Sequence, residues 1–221
     1  MPSYTNNRDS IYNTVKNRIL TMEYTPGQKI SEQEIAEQTN TSRTPVREVF
    51  IRLSREGLLQ IVPQSGTYVS KINMKLAEEA RFVRENIEKV IVSNCCNHIS
   101  DAQIAAIQDI IDLQEFYSLK NKPEHFFELD EKFHYMFYQI DHKENVWNWH
   151  QSFNSHLNRY RWLRSSFLNL DLQHLIEHHK DILNAVKLGD ARIAEELASR
   201  HLQLMIDEKD AVIAEFKDYF E

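Results

Sequence analysis

Chain breakers are spread unevenly along this sequence of 221 residues, and that distribution constrains the fold more than any other feature. Three of the four glycines and four of the five prolines lie in the first 66 residues. Between Gly66 and Gly189 the only further breaker is Pro123. Because glycine and proline mark turns and end helices, this predicts short elements at the front and long helices behind. All ten histidines lie at or after His98, so the two parts also differ in chemistry.

Charge follows the same division. The chain has a net charge of −7. Residues 1–73 contain nine Lys and Arg and seven Asp and Glu, whereas the remainder contains 17 Lys and Arg and 26 Asp and Glu. A local basic patch, not the overall charge, decides whether a phosphate backbone is attracted. We predict two domains, residues 1–73 and 74–221, of which the first could bind nucleic acid.

Two features indicate the compartment. No run approaches the roughly 18 apolar residues of a membrane helix, and the N-terminus lacks a basic start and an apolar stretch. The adjacent Cys95 and Cys96 suit reduced thiols better than a disulfide framework. The sequence therefore predicts a cytoplasmic protein.

The first domain is predicted to contain three short helices and a β-hairpin. Apolar residues recur at helical spacing over 10–22, and residues 31–34 read as a capping box that begins a second helix. Ser42 can cap a third helix, which Gly57 ends, and residues 63–66 supply a hairpin turn. This is the layout of a winged helix-turn-helix, whose third helix can enter the DNA major groove.

Arg43 and Arg47 lie four residues apart on the third predicted helix, on the face opposite its apolar residues. Two guanidinium groups at a helix N-terminus can read a guanine edge or hold phosphates. Ser42 and Thr44 can add hydroxyl contacts. The same spacing also fits a helix face exposed to water, so the residues alone leave both interpretations open.

A longer pattern surrounds these arginines. Residues 41–48 resemble the winged-helix domain of GntR-type bacterial transcription regulators, as do the flanking segments 26–27, 31–36, 56–59 and 66–67. The resemblance implies that Ser42, Arg43, Thr44 and Arg47 face the operator and that the wing-tip Gly66 enters the minor groove. Gln33 stands where some members of the family carry an arginine on the second helix.

The second domain is predicted to be an all-α antiparallel bundle of about six helices, so the fold class is mainly α. No GxGxxG, P-loop, GxSxG or HExxH motif is present, so the common nucleotide-binding and hydrolytic signatures are absent. We interpret the aromatic and basic residues of 147–162 as core packing or a dimer face in preference to direct contact with an effector.

Asp130 and His134 fall inside the apolar arc of a predicted helix over 126–140, with Glu131 on the opposite side. A carboxylate that faces a core needs a partner. One helical turn separates the pair, so they could share a metal ion or form an Asp–His hydrogen bond within the bundle.

His179 and His201 extend this pattern. They lie ten residues before and twelve after Gly189, so an antiparallel helix pair would bring them to about the same level. One Asp and three His in a bundle core are typical of a first-row transition-metal site with open coordination positions.

The four residues also resemble the metal site of the FCD domain, the ligand-binding domain of the FadR subfamily of GntR regulators. The resemblance implies that Asp130, His134, His179 and His201 bind a divalent metal such as zinc or nickel, and that a small carboxylate effector completes its coordination. Arg84 matches an arginine that points toward the effector. His178 does not fit the family register, and six helices suit the shorter, VanR-like branch.

These patterns predict a transcription regulator and not an enzyme. It would repress as a homodimer on a palindromic operator and respond to a small carboxylate. Two alternatives remain open, a metal-dependent enzyme on a helical scaffold and a direct metal sensor.

Overall fold

The computed structural model describes residues 4–167 and 171–221. The N-terminal part forms α1 (Tyr4–Leu20), β1 (Lys29–Ile30), α2 (Glu32–Gln38), α3 (Arg43–Arg55), β2 (Leu59–Val62) and β3 (Gly66–Val69). Eight α-helices follow among the described residues: α4 (Met74–Cys95), α5 (Asp101–Leu119), α6 (Pro123–Ile140), α7 (Glu144–Gln151), α8 (Ser155–Phe167), α9 (Leu172–Lys187), α10 (Ala191–Gln203) and α11 (Lys209–Glu215). Short 3-10 turns occupy Leu204–Ile206 and Lys217–Tyr219.

The three predicted helices of the front part are confirmed, but α1 begins at Tyr4, six residues before the predicted start at residue 10, and ends at Leu20. The caps also differ in detail. Ser31 accepts a hydrogen bond from the Gln33 amide at 3.2 Å, but the hydrogen bonds of the described residues do not include the return bond from Glu34 that would complete a capping box. Ser42 precedes α3 without a side-chain cap bond. Gly57 ends α3 with a φ of +73°, a left-handed conformation that glycine adopts at little cost.

The wing is a three-stranded antiparallel sheet with the order β1-β3-β2. The predicted hairpin is β2 and β3, in which Ile61 pairs with Thr67. The sequence did not indicate β1, which adds Lys29 opposite Tyr68. The Gly27 amide donates to the Val69 carbonyl at 2.8 Å and extends this pairing by one bond.

The predicted number of six helices is wrong, because two of those segments are divided. Residues 152–154 separate α7 from α8, and a 3-10 turn interrupts the last segment before α11. Neither division contains a glycine or proline, so composition gave no sign of it. The predicted break at residues 169–171 lies partly outside the described residues. Among these residues, every helix is too short or too polar to span a lipid bilayer.

Helix α8 and the C-terminus hold the segment that connects the two parts. The Arg159 guanidinium donates to the carbonyls of Ser70 at 2.5 Å and Lys71 at 3.4 Å. His156 accepts from the Asn73 amide at 3.1 Å. The Ile72 amide donates to the Tyr219 carbonyl at 2.8 Å, so the end of the chain also pairs with the connection. Residues 70–73 are therefore fixed from two sides.

Candidate metal centre and DNA interface

Four side chains from three helices meet inside the bundle. Asp130 and His134 lie on α6, His179 on α9 and His201 on α10, and all four are buried. Each offers one ligand atom, and these four atoms lie within 4.8 Å of one another. The antiparallel arrangement expected of α9 and α10 around Gly189 therefore brings His179 level with His201, as their spacing predicted.

The imidazole nitrogens are close enough for a common ion. His201 Nε2 lies 3.2 Å from His179 Nε2 and 3.3 Å from His134 Nε2. Asp130 Oδ1 lies 3.5 Å from His179 Nε2. Ligand atoms are about 3.4 Å apart around a tetrahedral ion and about 3.0 Å apart around an octahedral one when each bond is about 2.1 Å. These three separations are close to those edges, and Asp130 Oδ2 lies 3.8 Å from His134 Nε2, so the donor set could hold a first-row metal ion after a small adjustment.

Two neighbouring residues orient the histidines. His134 Nδ1 is hydrogen-bonded to the Glu88 carboxylate, and His179 Nδ1 to Gln114 Oε1 at 2.8 Å. Because a carboxylate or amide oxygen only accepts, both Nδ1 atoms carry the proton and a neutral ring presents its Nε2 lone pair inward. A hydrogen bond of this kind fixes the tautomer of metal-binding histidines.

Burial and neighbouring charges keep the ligands of this site in the protonation states that bind a cation. Burial lowers the pKa of His179 to about 3 and that of His201 well below its usual range, and the neighbouring histidines lower the latter further. Burial alone would raise the pKa of Asp130, but Arg161, His134 and His179 lower it overall. Neutral imidazoles next to an ionised carboxylate are the forms that bind a metal.

Arg161 on α8 holds the second oxygen of Asp130. Its guanidinium is bonded to Asp130 Oδ2 and to Glu131 Oε1. The placement of Glu131 on the side opposite the core was wrong, because this residue pairs with Arg161 and, at 3.4 Å, with Arg84. Despite its burial, these two arginines lower the pKa of Glu131 to about 2.

Arg84 lies at the far side of the same buried network. Its side chain is inaccessible to solvent, and its Nε donates to Glu88 at 3.0 Å. Among the described residues Arg84 Nη2 has no hydrogen-bond partner. A buried donor without a partner is rare in native proteins, and a polar ligand could satisfy this one.

The arginines and carboxylates of this network leave one excess negative charge. Two buried arginines, Arg84 and Arg161, face three carboxylates, those of Glu88, Asp130 and Glu131. Isolated charges are costly to bury, so the excess favours an added cation. A small cavity of about 30 Å³ adjoins the centre, lined by Phe126, Phe127, Asp130, Arg161, Arg164, Ser165, Leu175, His201 and Met205.

The residues expected to contact DNA lie together on the exterior. Ser42, Arg43, Thr44 and Arg47 are all exposed at the first two turns of α3. Glu32 on α2 pairs with Arg47 at 3.1 Å and with Arg43 at 3.5 Å. Gly66 begins β3 with a φ of +138° at the tip of the wing. Gln33, also exposed on α2, donates to Glu37 at 3.0 Å.

Sequence reasoning missed Glu88, Gln114 and Arg161. The first lies four residues after Arg84, so helical spacing could have paired them. Gln114 is buried on an otherwise apolar face of α5, which was a usable signal. The sequence led us to assign Arg161 to core packing or a dimer face, because no local pattern connects it to Asp130.

Comparison with known proteins gives a consistent result across the chain. Residues 7–69 match the family described as bacterial regulatory proteins, gntR family, and residues 79–204 match the FCD domain. The HTH-type transcriptional repressor RspR of Escherichia coli K12 is 30% identical over 95% of this chain and 92% of its own. An HTH-type transcriptional regulator of Streptomyces ambofaciens is 32% identical over 97% of this chain and 89% of its own.

A solved structure shares the fold. E. coli McbR/YncC superimposes with a TM-score of 0.80 at 18% identity, over 98% of this chain and all of that one. At that identity the likeness concerns architecture alone, and it confirms a winged helix followed by a helical domain. The chain therefore belongs to the GntR family of bacterial regulatory proteins, as a DNA-binding transcriptional regulator with an FCD domain, and it is not an enzyme.

Proposed function

We propose that this protein is a cytoplasmic repressor whose affinity for a palindromic operator changes when a small carboxylate binds at a metal ion in the FCD domain. The observation that supports it most is the convergence of Asp130, His134, His179 and His201 beside a cavity that Arg161 lines. One relative of similar length is named a repressor, which favours that direction of regulation.

The four residues would hold zinc or nickel. Such an ion, when bound, supplies a Lewis acid to which a carboxylate oxygen can bind. The chain itself supplies the remaining recognition. Arg161 and Arg164 line the cavity, and Arg84 has a free donor in the adjoining network. The aromatic and aliphatic side chains on the cavity wall suit a short carbon skeleton, although a volume of about 30 Å³ requires the wall to move for a ligand of more than a few atoms.

Helix α8 offers a physical connection from this site to the DNA-binding part. Arg161 contacts Asp130, and two residues earlier Arg159 holds the carbonyls of the connecting segment. Ser155 donates to the Glu56 carbonyl at 3.4 Å, at the end of the recognition helix. A shift of α8 would therefore move α3. A ligand changes operator affinity only by its difference in affinity between the two arrangements.

A homodimer would place two copies of α3 on half-sites about one turn of DNA apart. Ser42, Arg43, Thr44 and Arg47 would then lie in the major groove and Gly66 in the minor groove. In a gel-shift assay on the operator, Arg43→Ala with Arg47→Ala should abolish specific binding. Arg192→Ala with Arg200→Ala, on exposed positions of α10, serves as the charge-matched control. Retained binding by the first pair would contradict the DNA assignment.

Elemental analysis of the purified protein, followed by gel-shifts of metal-free and metal-loaded samples, separates the carboxylate sensor from a direct metal sensor. We expect about one equivalent of metal per chain and release of DNA only after a carboxylate is added. His134→Ala should remove both. Release by metal alone would favour the metal sensor, and a wild-type protein without metal affinity would refute both.

A further inference from the structure

A row of histidines leads from the surface to the buried centre. His174 and His178 lie one turn apart on α9, with ring centroids 4.6 Å apart. The His178 ring lies 5.9 Å from that of His201, which is 4.6 Å from that of His179. Exposure falls along the row, since His174 is exposed, His178 is half-buried and His201 is buried.

The His178 ring packs between the rings of His174 and His201. Its Nδ1 is buried and has no hydrogen-bond partner among the described residues. Such a ring, in contact with one histidine outside and another inside, is suited to bind a metal ion briefly.

The other route to the centre is the cavity that reaches Asp130 and His201. Its guanidinium groups are paired with carboxylates, Arg161 with Asp130 and Arg164 with Glu208, so its wall carries charges of both signs. The histidine row differs from this cavity because it offers imidazole nitrogens, which are common ligands of transition metals, along its length.

We propose that His174 and His178 form a second, weaker metal site, which receives a divalent transition metal and passes it to the buried centre. The transfer is a ligand exchange in which a bond to His178 nitrogen breaks as one to His201 Nε2 forms. No electron moves in this exchange. This inference rests on the proposed function, because it requires the buried centre to bind metal.

Stopped-flow mixing of the full-length, metal-free protein with Co²⁺ tests it, because cobalt absorbs visible light when histidine nitrogens bind it. His174→Ala combined with His178→Ala should slow uptake roughly tenfold or more, through loss of local metal capture. The final occupancy of the buried centre should stay at the wild-type value. At high Co²⁺ the wild type should take up a further, weak equivalent that the double variant lacks. His125→Ala, an exposed histidine on α6, should behave as the wild type.

The possible outcomes distinguish failure of the transfer route from failure of the proposed function. Uptake at the wild-type rate by the double variant overturns the transfer route and leaves the buried centre unaffected. Loss of tight binding in a folded double variant would also overturn it, because His178 would then be a permanent ligand. If even the wild type binds no Co²⁺ tightly, the metal-dependent function fails and the route fails with it. His174→Ala alone, at an exposed position, gives the same test should the double variant not fold.

Discussion

Single contacts in this protein hold charged groups in positions that a ligand could later use. Glu32 pairs with both Arg43 and Arg47, the arginines through which we expect DNA to be bound. In the interior, Glu88 and Gln114 hold His134 and His179 with their Nε2 atoms pointing at one spot. In both cases a residue that is not itself expected to touch DNA or the metal ion orients a residue that is.

Replacement of Glu32 by Gln should tighten operator binding severalfold. Phosphate must compete with the Glu32 carboxylate for the two arginines, and the carboxylate itself repels DNA. The measurement is a fluorescence anisotropy titration at fixed salt. Glu37→Gln removes the same charge from α2 at a residue that bonds to Gln33 instead, so it should have the smaller effect. Equal effects of the two variants would show that only net charge matters.

Replacement of Gln114 by Ala should weaken metal binding about 10- to 100-fold, the usual consequence of losing a partner that orients a ligand. The His179 ring would lose the bond that fixes its tautomer. Competition with a chelating indicator measures the affinity. Gln108→Ala, on the exposed side of α5, is the control. An unchanged affinity in the Gln114 variant would mean that packing alone orients His179.

How much of this site could be predicted from sequence depends on which helices supply its residues. His179 and His201 were predictable because Gly189 sets the turn between α9 and α10, and local spacing then fixes their level. Arg161 and Glu88 were not, because they reach the centre from α8 and α4. The packing of those helices depends on contacts between residues far apart in sequence. The division between α7 and α8 was missed for the same reason, since no breaker residue marks it.

Helix α8 should transmit the signal between the two parts. Replacement of Arg159 by Met keeps the apolar stem and removes the bonds to the Ser70 and Lys71 carbonyls. We expect metal affinity to persist while the effect of the carboxylate on operator affinity shrinks toward nothing. Arg192→Met on α10 is an exposed control. A full ligand response in the Arg159 variant would exclude this route.

At the scale of the whole molecule, the buried apolar residues divide into separate clusters. Apolar residues of α1, α3 and the wing form one core, while α4, α5, α6, α9 and α10 form another. A third cluster joins α4 and α8 to the C-terminal turn. The bundle core also encloses ionisable side chains, so its stability depends on their protonation.

Acid should destabilise the metal-free protein. Burial and Arg84 lower the pKa of His150 to about 4, whereas the unfolded chain titrates near pH 6.5. The stability that this neutral ring contributes is therefore complete above pH 6.5 and declines as the pH falls toward 4. Between pH 6.5 and 5 the loss is about 2 kcal/mol for this residue. Urea unfolding of wild type and His150→Gln at both pH values measures the difference, which vanishes if the ring is already protonated in the fold.

The excess carboxylate of the buried network has a consequence for the order of events. A dication reverses the sign of the network's charge, and a singly charged anion then restores neutrality. Each ion should accordingly bind more tightly in the presence of the other, by the same factor in both directions. The FCD domain would in that case act as a coincidence detector, which changes state when a metal and a metabolite are available at the same time.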